Sequence, residues 1–187
     1  MSKGSGLFDI ALGELGAVLN RTDEASIDAA CRMLAEAKLI GVSGCGRELL
    51  QMKGLAMRLF HLGLNVSMVG DVTMPPLSKG DVFLVAAGPG ELQSMLTLMR
   101  IARDAGAKNL LVTAEPNSSA GKLADLTVVV PAQTLASDQG AKRTSVLPMG
   151  SVFEGALFML SEIMVLKMKE LLGATLEAMR ARHTNME

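Results

Sequence analysis

Two glycine turns mark the positions at which this sequence could hold an anionic ligand. The first turn covers residues 43–46, Ser-Gly-Cys-Gly, and the second covers residues 87–90, Ala-Gly-Pro-Gly. Each turn follows a short apolar run and precedes a segment with helical periodicity, so that N–H groups at a helix start could face a ligand. Neither turn has the dinucleotide pattern G-x-G-x-x-G or the nucleotide-binding ending Gly-Lys-Ser/Thr. On spacing alone the pattern favours anion binding only weakly, because tight packing also places glycines at strand ends.

Several residues in and after these turns have side chains or backbone groups that could contact a small ligand. They are Ser43, Gly44, Arg47, Glu48, Gly88, Gly90, Glu91 and Ser94. Arg47 could bind a phosphate, or it could form a salt bridge with Glu48 or another acid. Lys142 and Arg143 could supply further cations, although a solvated loop explains them equally well. The two cysteines and two histidines do not have the spacing of metal ligands, so no metal site is predicted.

The elements that must position these turns are short apolar strands. Five runs lack amphipathic alternation, as expected for a parallel sheet that is covered on both faces. They span residues 39–43, 65–69, 81–87, 109–114 and 126–132. Ligands of such sheets bind outside the carboxyl ends of the strands, where both glycine turns lie.

Helical periodicity separates and flanks the strands. Helices are predicted over residues 7–19 and 24–37, with Thr22 or Asp23 as the cap between them, and over 47–62, 91–105, 118–124 and 151–172. Gly63 and Gly106 follow two of these helices as stop signals. The sequence therefore predicts an α/β fold, a three-layer sandwich with a five-stranded parallel sheet. We expect residues 1–187 to form one domain, with the helices of 7–37 and 151–172 packed on the sheet.

Composition limits the partners. Apolar residues make up 49% of the chain and the formal net charge is −1, which is typical of a globular protein without electrostatic attraction to nucleic acid. Uninterrupted apolar runs of membrane-spanning length are absent from the sequence, so we expect a cytoplasmic protein that binds a small molecule and no membrane. Apolar stripes on the first and last helices could form subunit interfaces, but packing within the chain is the simpler explanation for most of them.

The ordered combination of motifs is more specific than any one of them. The motifs are spread from residue 43 to residue 187 and read SGCGRELLQMKGLAMRLFHLGLNVSMVGD, PPLSKGDVFLVAAGPGE, LADLTVVVP, LPMGSVFEGALFML and RHTNME. In this order they resemble the 6-phospho-3-hexuloisomerase family of the sugar isomerase (SIS) domain group. The resemblance implies a flavodoxin-like SIS fold and a homo-oligomer, either a tetramer or a dimer. It also implies interconversion of 3-hexulose 6-phosphate and fructose 6-phosphate without a cofactor.

The resemblance assigns the chemistry to three side chains. Glu154 would be the base that moves a proton between C3 and C2 through a cis-enediol. On spacing alone, Glu154 is a first-turn glutamate in a capping box with Ser151 as the N-cap. The resemblance suggests that His61 reaches a neighbouring subunit's site and that His183 folds over a site. Without it, His61 could merely satisfy helix carbonyls and His183 could be a solvated tail residue.

The sequence departs from this family where the family holds its phosphate. The family's first turn ends in a serine where this chain has Glu48, and its second turn has hydroxyl groups where this chain has Ala87, Pro89 and Leu92. A threonine of the family is Met74 here. We therefore expect weaker phosphate binding, with Glu48 occupying or repelling the place of the anion. The alternatives are binding of a non-phosphorylated sugar or a non-catalytic carbohydrate-binding module.

Overall fold

The fold is built on one parallel sheet, as predicted. The structure is a computed structural model that describes residues 6–186, apart from the side chain of Lys142. The strands are β1 (Ile40–Ser43), β2 (Val66–Met68), β3 (Val82–Ala86), β4 (Lys108–Thr113) and β5 (Leu126–Val129). All pairings are parallel and the strand order is β2-β1-β3-β4-β5. This is the flavodoxin-like order, in which the chain changes direction across the sheet between β1 and β3.

Within residues 6–186, seven α-helices accompany the sheet. They are α1 (Leu7–Leu19), α2 (Glu24–Ala35), α3 (Gly46–His61), α4 (Gln93–Asp104), α5 (Ser119–Leu123), α6 (Ser151–Leu171) and α7 (Leu176–Ala181). A short 3-10 turn covers Gly140–Lys142. Among the two candidate caps of α2, Asp23 accepts the N–H of Ser26 at 2.8 Å. The sequence pattern missed α7, which Thr175 caps through the N–H of Ala178.

The core lies on both sides of the sheet because successive strand side chains point in opposite directions. Val82, Leu84 and Ala86 of β3 pack with α2, α3 and α6. Phe83 and Val85 belong to the opposite layer, with α4 and α5. Because both faces of β3 are buried, all of its residues are apolar. This continuous apolar run is the pattern that predicts a strand covered on both faces.

The first helix differs from the prediction that its apolar stripe packs inside the chain. Of the α1 side chains, only Val18 is buried, whereas Leu7, Phe8 and Leu12 are exposed. The last long helix behaves as predicted, since nine of its residues are buried. The helix after the second glycine turn also starts later than expected, at Gln93, because Leu92 keeps an extended backbone as its N-cap. Residues 91 and 92 therefore remain part of the loop.

Candidate functional site

The two glycine turns meet at the point where the strand order reverses. They follow β1 and β3, which are neighbours in the sheet, with Ser43 in register with Val85. The first turn also contacts the helix that follows the second one, since the Sγ of Cys45 lies 3.3 Å from the Oγ of Ser94 at the start of α4. Gly44 is closely packed: an added Cβ atom would come within 3.2 Å of the backbone nitrogen of Leu49. This crevice at the carboxyl ends of the strands is where open α/β sheets bind ligands.

The N–H groups of the second turn are already used within the chain. Ala87 donates to the carbonyl of Val112 at 3.0 Å, and Gly90 donates to the carbonyl of Ala87 at 2.9 Å. Gly88 donates to Oε2 of Glu48 at 3.0 Å. Pro89 has no N–H to offer. The N–H groups of Ala87, Gly88 and Gly90 are thus all engaged within the chain, one of them by a carboxyl group.

Glu48 is a buried carboxyl group in the first turn of α3, with only 8% of its surface exposed. Burial is the main cause that raises its pKa to about 7. The Gly88 N–H lowers the pKa, the nearby Glu154 raises it, and Arg47 lowers it. Near neutral pH this group therefore exists in both its charged and its neutral form. Glu48 is thus in direct contact with the second glycine turn through the Gly88 N–H, and its occupation of an anion's place stays a prediction.

Arg47 pairs with Glu154 rather than with Glu48. Its Nη2 lies 3.1 Å from Oε1 of Glu154. The same guanidinium donates to Oγ of Ser151 at 2.7 Å and to the carbonyl of Met149. Arg47 therefore connects the first glycine turn with the start of α6.

The two carboxyl oxygens of Glu154 have different surroundings, since Oε1 pairs with Arg47 and Oε2 does not. Oε2 is buried and has no hydrogen-bond partner among the described residues. Burial raises the pKa of Glu154, while the charge of Arg47 lowers it. A carboxylate whose basicity is increased by its surroundings, and which has an unengaged oxygen, is suited to accept a proton from carbon.

The backbone before α6 aims this carboxylate. Met149 and Gly150 both have positive φ angles, 58° and 78°. The N-cap of α6 is Gly150, so the capping box with Ser151 as N-cap is wrong. Ser151 instead donates to the carbonyl of Pro148 at 2.7 Å. A non-glycine residue in the left-handed region stores strain that such turns at functional sites often carry.

Glu91 and Gly90 support the short helix after β4. Oε1 of Glu91 accepts the N–H of Ser119 at 2.7 Å, and this backbone hydrogen bond is the main cause that lowers the pKa of Glu91. Gly90 lies against Ser118, whose Oγ would be 2.1 Å from an added Cβ atom. Both residues lie at the crevice, with Glu91 already engaged by the chain.

His61 and His183 lie together, away from Glu154 of the same chain. Their ring centroids are 5.2 Å apart, with His61 buried and His183 exposed. Glu48 lies in the first turn of α3 and His61 at its end, so the two are about 20 Å apart along the helix axis at 1.5 Å per residue. Arg47, which pairs with Glu154, lies at the same end of α3 as Glu48. One chain therefore does not bring all three predicted catalytic side chains into one site.

Other residues complete the site, and the sequence pattern did not single them out. Thr113, at the end of β4, donates to the carbonyl of Ala87 at 2.7 Å and so holds the second turn. Asp138 accepts the N–H of Met149. A polar residue closing an apolar strand was the available signal for Thr113, whereas nothing local distinguished Asp138. Arg143 lies 3.9 Å from Asp138, and the Lys142 side chain is outside the described part.

Within residues 6–186 there is no group of three or more potential metal ligands. Over the same residues, no helix combines the length and apolar character needed to cross a membrane.

The order of the strands and the paired glycine turns define a class, that of α/β proteins with a ligand crevice at a switch point. Comparison with known sequences narrows this class. Residues 33–159 match the SIS domain. The chain belongs to the SIS domain family and, within it, to the 6-phospho-3-hexuloisomerase family.

Its relatives are similar over most of their length. A protein of Methylomonas aminofaciens named 3-hexulose-6-phosphate isomerase is 34% identical over 96% of this chain and 97% of its own. A protein of the same name from Bacillus subtilis is 36% identical over 79% of this chain and 80% of its own. A solved structure from Methanococcus jannaschii, described as implying that same function, has a TM-score of 0.83. It is 25% identical and covers 96% of this chain and 98% of the other. The fold and the resemblance predicted from the sequence are confirmed.

Proposed function

We propose that this protein is an isomerase of a phosphorylated ketose that moves a carbonyl group between C3 and C2. The observation that carries the proposal is the Glu154 carboxyl group, with Oε1 held by Arg47 and Oε2 buried and without a partner in the described chain. Relatives named 3-hexulose-6-phosphate isomerase support this substrate class. The interconverted pair would be 3-hexulose 6-phosphate and fructose 6-phosphate.

The reaction needs one proton to move between adjacent carbons. Ionised Glu154 removes the proton from C3 of fructose 6-phosphate through Oε2, and the oxygen on C2 gains a proton, which gives a cis-enediol. The same carboxyl group then returns its proton to C2 while the hydroxyl on C3 loses its proton, so that the proton released from this hydroxyl balances the one gained at the oxygen on C2. Arg47 keeps the carboxylate oriented towards the crevice through both steps. No group other than the substrate changes its bonding to carbon.

Hydrogen exchange in heavy water tests this assignment. We expect wild-type protein to introduce deuterium at C3 of fructose 6-phosphate and not at C1, because the enediol spans C2 and C3. Glu154→Gln should reduce this exchange by about 10²-fold or more, since it removes the proton acceptor. NMR spectroscopy of the sugar gives the position and the rate.

Glu162→Gln is the matched control, because Glu162 lies on the same helix and pairs with Arg58 instead. Exchange in Glu154→Gln at the rate of the control would eliminate Glu154 as the base. Exchange at C1 would identify a different isomerase reaction. Equal exchange with unphosphorylated fructose would show that the substrate does not need a phosphate group.

We also infer that the protein acts as a homo-oligomer, a dimer or a tetramer of one-domain subunits, in which His61 serves a neighbour's site. Its distance from Glu154 within one chain supports this arrangement, as do exposed apolar side chains on α3 and α6. Met57 is 47% exposed and Phe158 is 53% exposed. The unpaired thiols of Cys31 and Cys45 are consistent with the reducing cytoplasm, where we place the protein.

A further inference from the structure

Glu48 is bound to the second glycine turn in a way that affects any ligand there. Its Oε2 accepts the Gly88 N–H at 3.0 Å. Its Oε1 lies against the same residue, since an added Cβ atom on Gly88 would be 2.8 Å from it. The other N–H groups of this turn bind carbonyl groups of the chain, and Pro89 has none. In this turn, the Gly88 N–H is therefore the donor that binds a carboxyl group, and a ligand could use it only by displacing Glu48.

The charges around Glu48 leave little attraction for a second anion. Arg47 on α3 and Glu154 on α6 are the charged groups that act on it, together with the Gly88 N–H from the turn after β3. Arg47 is engaged by Glu154 at 3.1 Å. With both glutamates ionised, one positive charge faces two negative charges, and a dianionic phosphate would add to the repulsion. Loss of the charge on Glu48 would remove one of these two negative charges and weaken the competition for the Gly88 N–H, because a neutral carboxyl oxygen is a poorer acceptor than a carboxylate.

We propose that Glu48 is a specificity-determining residue: its carboxylate competes with the ligand's phosphate for the Gly88 N–H, and a phosphate ester binds when Glu48 is neutral. The inference rests on the proposed function in one respect, namely that the glycine turns hold the ligand's phosphate. Binding is then accompanied by the uptake of one proton whenever Glu48 starts ionised.

The proposal predicts a defined pH dependence. Burial raises the pKa of Glu48 to about 7, so the neutral form is abundant below this pH and becomes scarce above it. Phosphate affinity should therefore fall by about tenfold per pH unit above pH 7 and level off in more acidic solution. This pH dependence concerns the binding of a dianion such as phosphate. It can be measured separately from the ionisation of the proposed catalytic base, Glu154.

Sulfate is the probe, because its charge is constant across this range whereas a phosphate ester titrates near pH 6. Titration calorimetry from pH 6 to 8.5 gives the dissociation constant. Repeating it at pH 8 in two buffers of different ionisation enthalpy gives the number of protons taken up. We expect about one proton for the wild type and about none for Glu48→Gln. Glu48→Gln should also show a flat affinity profile, and Glu48→Ser should bind sulfate at pH 8 at least tenfold more tightly than the wild type.

Glu162→Gln is again the control and should keep the wild-type pH profile, because Glu162 pairs with Arg58 away from the turn. Thermal unfolding verifies that each variant is folded. Equal pH profiles and equal proton uptake in the wild type and Glu48→Gln would overturn the proposal. Failure of both the wild type at pH 6 and Glu48→Ser to bind sulfate would overturn it as well.

The exchange assay at C3 separates this proposal from the proposed function. Absence of exchange with a normal Glu48-dependent sulfate profile would remove the isomerase assignment and leave the role of Glu48 supported. Exchange at C3 together with a pH profile of sulfate affinity that does not depend on Glu48 would support the isomerase assignment and overturn the proposed role of Glu48.

Discussion

At the scale of single residues, three neighbouring side chains have different tasks that follow from their contacts. Arg47 holds Oε1 of Glu154, while Oε2 is buried without a hydrogen-bond partner among the described residues. Glu48, one position further along α3, turns away from this pair to the Gly88 N–H. Adjacent residues on a helix point in different directions, so Arg47 and Glu48 could not both face Glu154 equally. Arg47 is engaged by Glu154 and Glu48 by the Gly88 N–H, so the salt bridge between Arg47 and Glu48, open from the sequence, does not form.

The buried Glu48 should make the stability of the protein depend on pH. Its pKa is about 7 in the folded chain against an ordinary value of 4.5, so between these values the folded state holds a proton that the unfolded chain has lost. The free energy of unfolding should therefore decrease as the pH rises through this window, by on the order of 3 kcal/mol. Glu48→Gln should remove this decrease. Urea unfolding at pH 5, 6, 7 and 8 measures it, and parallel curves for the two proteins would contradict the assignment.

At the scale of elements, the start of α6 decides the position of Glu154. The turn before it is fixed by the Met149 N–H to Asp138 and by the Met149 carbonyl to Arg47. Gly150 then enters the helix with φ 78°, packed against the backbone of residues 134 and 135. A helix that begins at Ser151 places Glu154 within its first turn, where the helix dipole favours a carboxylate.

Gly150→Ala should disturb this start. An added Cβ atom would be 2.4 Å from the backbone nitrogen of Leu135, and the left-handed conformation would itself be strained. We expect a loss of about 2 kcal/mol or more in the free energy of unfolding, together with reduced exchange activity, as Glu154 shifts.

Gly54→Ala is the matched control, since Gly54 lies within α3 with nothing near its Cβ position. It should gain up to about 1 kcal/mol from helix propensity. Urea unfolding and the exchange assay measure both variants. If Gly150→Ala were as stable and active as Gly54→Ala, the left-handed start of α6 would have no role in placing the base.

At the scale of the whole molecule, the two ends of α3 lie in different surroundings. Its first turn lies at the crevice, and its last residue, His61, stacks against His183 near the C-terminus. Arg182 holds this end by donating to the carbonyl of His61 at 3.1 Å. If His61 acts in catalysis, a neighbouring subunit must supply the crevice it faces.

Mixing two inactive variants tests this arrangement. Glu154→Gln and His61→Ala should each lose activity, and co-expressed in equal amounts they should regain about a quarter of the wild-type rate in a dimer with shared sites. Each mixed dimer would contain one site with both native side chains. Light scattering gives the size of the assembly, and differently tagged subunits verify mixing.

Co-expressing Glu154→Gln with Glu154→Ala is the control, because no combination of these subunits restores the base. Recovery no greater than this control, in verified mixed assemblies, would place His61 outside its neighbour's site.

The sheet, its crevice and the family could all be predicted from the amino-acid sequence. Continuous apolar strands, glycine stops at 63 and 106 and motifs in a fixed order are local signals, and local backbone preference and burial are enough to produce them. The same signals could not predict α7, whose six residues are too few for a clear periodic pattern. Nor could they show that α1 leaves Leu7, Phe8 and Leu12 exposed, since an apolar stripe does not specify what covers it.

The partners of the charged residues, in contrast, depend on how the chain folds and could not be predicted from the sequence. Arg47 meets Glu154 across a separation of 107 positions, and Glu48 meets Gly88 across 40, so no local pattern could pair them. Their pairing depends on which way each side chain leaves its helix and on how deeply it is buried. These are properties of the packed chain. From the sequence, Glu48 was a replacement for the family's serine; in the folded chain it is the carboxyl group that binds the second glycine turn.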